Sequence, residues 1–114
     1  MSENLISYDD FSKVKINVGT VINVEEFPQA RKPALKLVID FGSHIGKKRS
    51  SAQITQHYNK DNLVGKQVIA VTNFPPKQIG TFISEVLVLG LSNDAGEIIL
   101  VTPDQPIPNG HKLH

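Results

Sequence analysis

The chain has 114 residues, 39% of them apolar, enough for one hydrophobic core and too few for two. It has no cysteine, which excludes disulfides and thiolate metal sites, and no apolar run near the roughly 18 residues that span a bilayer. The formal charge of +1 hides an asymmetry: residues 27–77 hold nine Lys/Arg against two Asp/Glu, while the segments before and after each carry −3, a pattern that predicts one positive face.

The opening, MSENLISYDD, has no basic n-region and no long apolar run, so it is not expected to be a signal peptide, and a cytoplasmic location is expected. Ser7-Tyr8-Asp9-Asp10 predicts a short helix ending by Val14, with Ser7 as N-cap and Asp10 completing a capping box. Ile16–Glu26 alternates, Ile16, Val18, Thr20, Ile22 and Val24 facing one way, with Gly19 at a bend or bulge. Phe27-Pro28-Gln29-Ala30-Arg31-Lys32-Pro33-Ala34 is a proline-stiffened loop carrying an aromatic and cations. Leu35–Phe41 is a second strand, with Leu35, Leu37, Ile39 and Phe41 inward and Lys36, Val38 and Asp40 outward. Residues 42–46 turn the chain, and Lys47–Ala52 is a third strand bearing Lys47, Lys48 and Arg49.

Gln53–Asn62 predicts a short helix with Ile54, His57 and Tyr58 near one face, followed by a turn at Gly65. Val68–Thr72 is an apolar strand that runs into Asn73-Phe74-Pro75-Pro76-Lys77-Gln78-Ile79-Gly80. The prolines fix their own φ and remove backbone donors, so this loop is expected to hold its shape and not to pair as a strand. It presents Phe74, Lys77 and Ile79, and a rigid loop showing apolar side chains to water is costly unless something binds there. The alternative is that Phe74 and Ile79 plug the mouth of a barrel. Phe82–Leu91 is a strand with one small polar interruption, Ser84-Glu85. Asn93-Asp94-Ala95-Gly96 is a hairpin turn, Glu97–Val101 returns as a strand, and a proline-rich tail ends on strand-like Lys112-Leu113.

Three strands, a short helix and two more strands is the order of the oligonucleotide/oligosaccharide-binding (OB) barrel, an all-β fold that binds over strands 2 and 3 between the 1–2 and 4–5 loops. On that order residues 1–114 form a single domain, with residues 1–15 a helical N-terminal extension and residues 97–114 a C-terminal one. Both extensions are able to pack across a two-fold axis. The expected peptide-binding residues are Phe27, Phe74, Pro75, Pro76, Ile79 and Phe82; the basic face is Arg31, Lys32, Lys36, Lys47, Lys48, Arg49 and Lys77. Catalysis is not expected: His57 lies near Ser50 and Ser51 without a nucleophile elbow or carboxylate partner. The scattered histidines have no metal-site spacing, so neither metal nor cofactor is expected.

The stretches NVGTVINVEEFPQARKPALKLVIDFG, SSAQIT, LVGKQVIAVTNFPP and SEVLVLG, with the closing PDQPIPNG, resemble the CsaA group of secretion-related chaperones. That group belongs to the wider tRNA-binding-domain family, which includes structure-specific tRNA-binding proteins and the C-terminal appendix of bacterial methionyl-tRNA synthetases. The resemblance runs from Phe11 to Leu113, and SSAQIT and FPPKQIGTFISEVLVLG look specific to CsaA. It implies a homodimeric, non-enzymatic barrel in the cytosol, without membrane insertion. Such a protein holds unfolded or preprotein segments and hands them to the secretion motor ATPase SecA.

In the tRNA-binding relatives the 4–5 loop continues with a second cation before the glycine, and the next strand opens on a serine motif. Here Asn73 matches the polar residue ahead of the loop, Lys77 the first basic position and Ser84-Glu85 the serine-containing opening. Ile79 stands where the second cation is commonly found. That exchange shifts the site from phosphate grip toward apolar contact. tRNA binding stays as the alternative, because the basic face offers cations for phosphates, with aromatics for base stacking.

Overall fold

Leu35, Leu37, Ile39 and Phe41 recur at every second position, and in the computed structural model, which describes residues 4–114, all four side chains are buried. This period belongs to β2 (Leu35–Asp40), which lies between β1 (Ile16–Glu26) and β3 (Lys47–Ala52). β4 (Gln67–Val71) follows β1 on its other side and β7 (Leu87–Val88) follows β4, giving one antiparallel sheet of order β3-β2-β1-β4-β7. The sheet curls into a nearly closed, five-stranded barrel of OB type with short helices, as the order of elements predicts. Its inner side chains form one core cluster with Ile54, Leu63, Val86 and Leu100.

β1 serves two partners: Ile16–Thr20 pair with β4 and Thr20–Glu26 with β2. The register slips between Val21 and Asn23, so Ile22 is a bulged residue and the strict alternation predicted for β1 changes phase there. Val21 and Val24 point into the core, whereas Ile22 faces solvent. Gly19 is not the bulge. A Cβ at Gly19 would lie 2.7 Å from both Ile39 Cγ2 and Phe41 Cδ1, so the missing side chain is what admits those two into the core.

Barrel closure runs through side chains. After the hairpin formed by β5 (Lys77–Ile79) and β6 (Phe82–Ser84), the chain meets the open edge of β3. Ser84 Oγ accepts from the Ser51 amide at 3.0 Å, Glu85 Oε1 accepts from the Arg49 amide at 2.9 Å, and the Glu85 amide donates to the Arg49 carbonyl at 2.7 Å. Buried Ser50 donates its hydroxyl to the Val86 carbonyl at 3.0 Å. The run predicted as one strand, Phe82–Leu91, is therefore divided into β6, β7 and β8 (Gly90–Ser92), which pair with β5, β4 and β9 (Ile98–Leu100) respectively. The predicted turn between β8 and β9 forms, with Asn93 Oδ1 accepting from the Ala95 amide at 3.0 Å and the Glu97 amide at 2.9 Å.

The Ser7–Asp10 capping box starts α1 (Tyr8–Ser12) as expected; of the N-terminal extension, residues 1–3 lie outside the described residues. The helix predicted over Gln53–Asn62 is replaced by a turn and a single helical turn, α2 (Lys60–Leu63). Asn59, extended at φ −148°, exchanges capping bonds with Asn62 and so forbids helix before it. Residues 42–46, the other turn, contain one further helical turn, Gly42–Ile45.

The tail folds back onto its own barrel. Gln67 Nε2 donates to the Ile107 carbonyl at 2.6 Å while the Ile107 amide donates to Gln67 Oε1 at 3.0 Å. The amides of Gly110 and Leu113 donate to the carbonyls of Val18 and Ile16, both at 2.8 Å, and Lys112 bridges Asn17. These bonds occupy the edge of β1 that β2 leaves open. Among the described residues no helix is long and apolar enough to cross a membrane.

Candidate functional site

The second proline loop is pinned at its start. Asn73 Oδ1 accepts from the Lys15 amide at 2.9 Å, and Asn73 Nδ2 donates to the Lys13 carbonyl at 2.8 Å. Pro75 and Pro76 then keep residues 73–76 out of any ladder. The expectation that the whole loop stays unpaired fails at Lys77: from there the amides return, and Lys77–Ile79 pair as β5 with β6. Lys77 stands opposite Ser84 and Ile79 opposite Phe82, so these four side chains share one face of the hairpin.

A groove of about 760 Å³ opens between this loop, the end of β3 and the chain from Ser84 to Gly90. Phe74, Pro75 and Ile79 form one wall, while Ile54, Leu87, Leu89 and Ile98 line the rest; Lys77, Ser51, Ser84 and Glu85 are among its polar groups. Phe74 is 53% exposed at the rim, so it does not plug the barrel. Ile79 is half-buried in the groove wall, and Pro76 is exposed beside the loop without lining the groove.

Phe27 goes elsewhere, against expectation. Its ring is 5% exposed and packs edge-on against Phe82, with centroids 5.4 Å apart and planes at 62°. Lys36 Nζ lies 5.2 Å from the Phe27 centroid and 5.8 Å from that of Phe82, and the Arg49 guanidinium lies 5.6 Å from Phe82. Each such pair contributes about 0.5–1 kcal/mol at an exposed site. Phe27 is thus a support beneath the β5–β6 hairpin and does not line the groove. The reason is local: Phe27 follows β1 directly, its amide donating to the Ala34 carbonyl at 3.2 Å, so the ring is carried onto the sheet while the rest of the loop arches away.

The cations divide. Lys36 and Arg49 share the outer face of β2 and β3 with Lys47, which is exposed opposite Asp40. Lys48 stands opposite inward-facing Ile39, so it turns to the other side of β3 and does not join them. Arg31 and Lys32 are exposed on the first loop, and neither forms an ion pair among the described residues. Asn73, Ser84 and Glu85 act as fasteners, the first of the loop and the other two of the barrel seam.

Sequence reasoning missed Ile54, Leu87, Leu89 and Ile98 as groove residues. The signal was present in Val86-Leu87-Val88-Leu89, a strand apolar on both faces, which needs cover on both. Beyond the groove, Glu97 Oε1 accepts from Asn93 Nδ2 at 3.1 Å and lies 2.8 Å from His57 Nε2. Those two bonds, the Asn93 amide first, hold the Glu97 carboxyl below the usual carboxylate range. His57 therefore has a carboxylate partner, against expectation, but the pair ties the β8–β9 turn to the segment after β3, while Ser50 donates its hydroxyl to the Val86 carbonyl. Among the described residues no group of three or more His, Asp or Glu side chains gathers as metal ligands would.

Residues 16–112 match the family described as "Putative tRNA binding domain". The chain is similar to methionine–tRNA ligase of Parabacteroides distasonis, 35% identical over 108 residues, and it covers 16% of that protein's length. Among solved structures it is similar to the CsaA chaperone of Picrophilus torridus, at 55% identity and a TM-score of 0.89, covering 96% of this chain and 100% of the other. It is similar also to the CsaA chaperone of Bacillus anthracis, at 48% identity and a TM-score of 0.90, covering 96% and 99% of the two chains. The family match over the barrel, with near-complete overlap and about half the residues in common with those two chaperones, decides the matter: the chain belongs to the tRNA-binding-domain family, in its CsaA group.

Proposed function

We propose that the protein is an export-related molecular chaperone that holds unfolded or preprotein segments in the groove beside Phe74 and delivers them to the secretion machinery. It works in the cytoplasm through a single binding domain, without catalysis or cofactor. The observation that carries this reading is the groove itself: about 760 Å³, mostly aliphatic, with an aromatic ring half exposed at its rim on a loop stiffened by two prolines. Aliphatic walls contact many sequences without directional demands, which is what holding a varied set of clients requires. Phe74, Pro75 and Ile79 contact the client, Lys77 adds charge, and Pro76 keeps the loop in shape.

Exposed Leu5, Ile6 and Tyr8, at 77%, 72% and 76%, supply an apolar surface for a second copy. A homodimer then offers two grooves to one long unfolded chain. SecA is the partner to which the dimer passes its client.

The test is an NMR titration of the labelled protein with an unfolded preprotein peptide, beside total tRNA. Amides of Asn73, Phe74 and Lys77–Ile79 are expected to shift with peptide, and Phe74→Ala to weaken peptide binding about tenfold. Because Phe74 is half exposed, its truncation is expected to cost about 1 kcal/mol of stability, far less than the domain's total, so lost binding is not unfolding.

A second reading, structure-specific tRNA binding, is favoured by one observation: Lys36 and Arg49 bracket Phe82 on the outer face of β2 and β3. If only tRNA shifts the spectrum, at Lys36 and Arg49, and its affinity falls steeply with salt as phosphate contacts demand, the ranking reverses.

A further inference from the structure

Lys77, Ser84 and Ser51 fall on one line of a largely apolar groove, which Gln53 and Glu85 also border. Lys77 stands opposite Ser84 in the β5–β6 pair, Ser84 Oγ accepts the Ser51 amide at 3.0 Å, and Ser51 stands opposite Lys36 in the β2–β3 pair. Register therefore sets two lysines at the ends of a row with two serines between them. β6 meets β3 through the Ser84 side chain and not through a backbone ladder, so the two lysines belong to different sheets on either side of that seam. Lys77 is the cation that lines the groove beside the two serines, while the Lys36 ammonium lies next to it over the Phe27 and Phe82 rings.

The donors in this row are unspent. Ser84 accepts with its oxygen and keeps its O–H proton, and the Ser51 hydroxyl has no hydrogen-bond partner among the described residues. Neither Lys77 nor Lys36 has a carboxylate within ion-pair distance among the described residues. The one acid on the groove is engaged elsewhere: Glu85 Oε1 takes the Arg49 amide at 2.9 Å and lies 3.7 Å from Arg49 Nε. Lys77 and the two hydroxyls thus offer donors along an aliphatic trough, with Lys36 beyond its end opposite Glu25.

We infer that this row is a carboxylate subsite, and that the clients held best are extended apolar segments carrying an Asp or Glu side chain. The inference rests on the chaperone reading of the groove. A peptide carboxylate fits better than an RNA phosphate because the walls beside the row, Ile54, Ile79, Leu87 and Ile98, are aliphatic, and Phe74 at the rim is the single ring of the groove on which a base could stack. A client basic at the same position meets like charge and is rejected, so the subsite sorts clients by sign.

The experiment uses the full chain and three labelled apolar peptides that differ at one central residue, Glu, Gln or Lys, with fluorescence anisotropy at physiological salt. The Glu peptide is expected to bind about five- to tenfold tighter than the Gln peptide, as charge-assisted bonds to a partly exposed site allow, and the Lys peptide to bind weakest. The readout is the ratio among peptides, which a general loss of affinity does not move. Lys77→Glu should reverse the order of the Glu and Lys peptides, and Ser51→Ala should shrink the Glu/Gln ratio.

Equal binding of all three peptides, or an unchanged order in Lys77→Glu, overturns the carboxylate subsite. If Phe74→Ala still weakens all three peptides, the chaperone reading survives that outcome. If no peptide binds, the chaperone reading falls and takes this inference with it. If Lys77→Glu weakens an RNA oligonucleotide and leaves the peptide ratios alone, the row belongs to phosphate and the inference fails.

Discussion

A single missing methyl group decides how closely the barrel wall packs. Gly19 is buried on β1, and the rings and methyls of Phe41 and Ile39, both fully buried, lie where its Cβ would be. Gly19→Ala therefore overpacks the core and is expected to cost about 1–3 kcal/mol, read as a lower urea midpoint with an unchanged slope. An unaltered midpoint would mean that Phe41 moves at no cost. The residue was legible as special from sequence, but its role was not: a glycine in a strand marks either a bulge or a close approach, and alternation alone does not separate them. The bulge sits at Ile22, a residue with no local mark, because what creates it is the change of partner from β4 to β2. Phe27 escaped for a related reason. An aromatic beside a proline reads as loop, and only the register of β2 reveals Lys36 and Phe82 waiting for its ring.

At the scale of elements, the strands that follow a period of two through uniform partners were readable. β2 begins where its alternation begins, and the capping box of α1 is a local signal that needs no partner. The 82–92 segment was not readable as three strands, since its breaks come from side chains bonding a strand far away in sequence. Ser84 and Glu85 spend their side chains on the β3 edge, and that seam is what closes the barrel. Ser84→Ala removes the acceptor from the Ser51 amide, leaving a partly buried donor unpaired. Amide exchange at Ser51 and Arg49 is expected to speed up at least tenfold in this variant, with β1 and β4 amides unchanged. Uniform acceleration across the sheet would mean that the seam unzips only with the whole barrel.

For the whole molecule, the tail and the N-terminal segment have different fates. Residues 107–113 satisfy their backbone on β1 and Gln67 of their own chain, leaving the Ile107 and Leu113 side chains exposed. Leu5, Ile6 and Tyr8 are more exposed, beside a helix with no buried residue, which is costly unless a second copy covers them. Replacing all three by serine is expected to convert a dimer to a monomer by light scattering, with the far-ultraviolet spectrum intact. Two clients then separate the consequences. A peptide that fills one groove should bind the monomer as well as the dimer, because no contact in the groove has changed. A long unfolded chain should lose at least tenfold, since its second engagement is no longer intramolecular. Equal losses for both would place the replaced residues in the groove's own support, and a dimer that persists would move the two-fold contact to another surface.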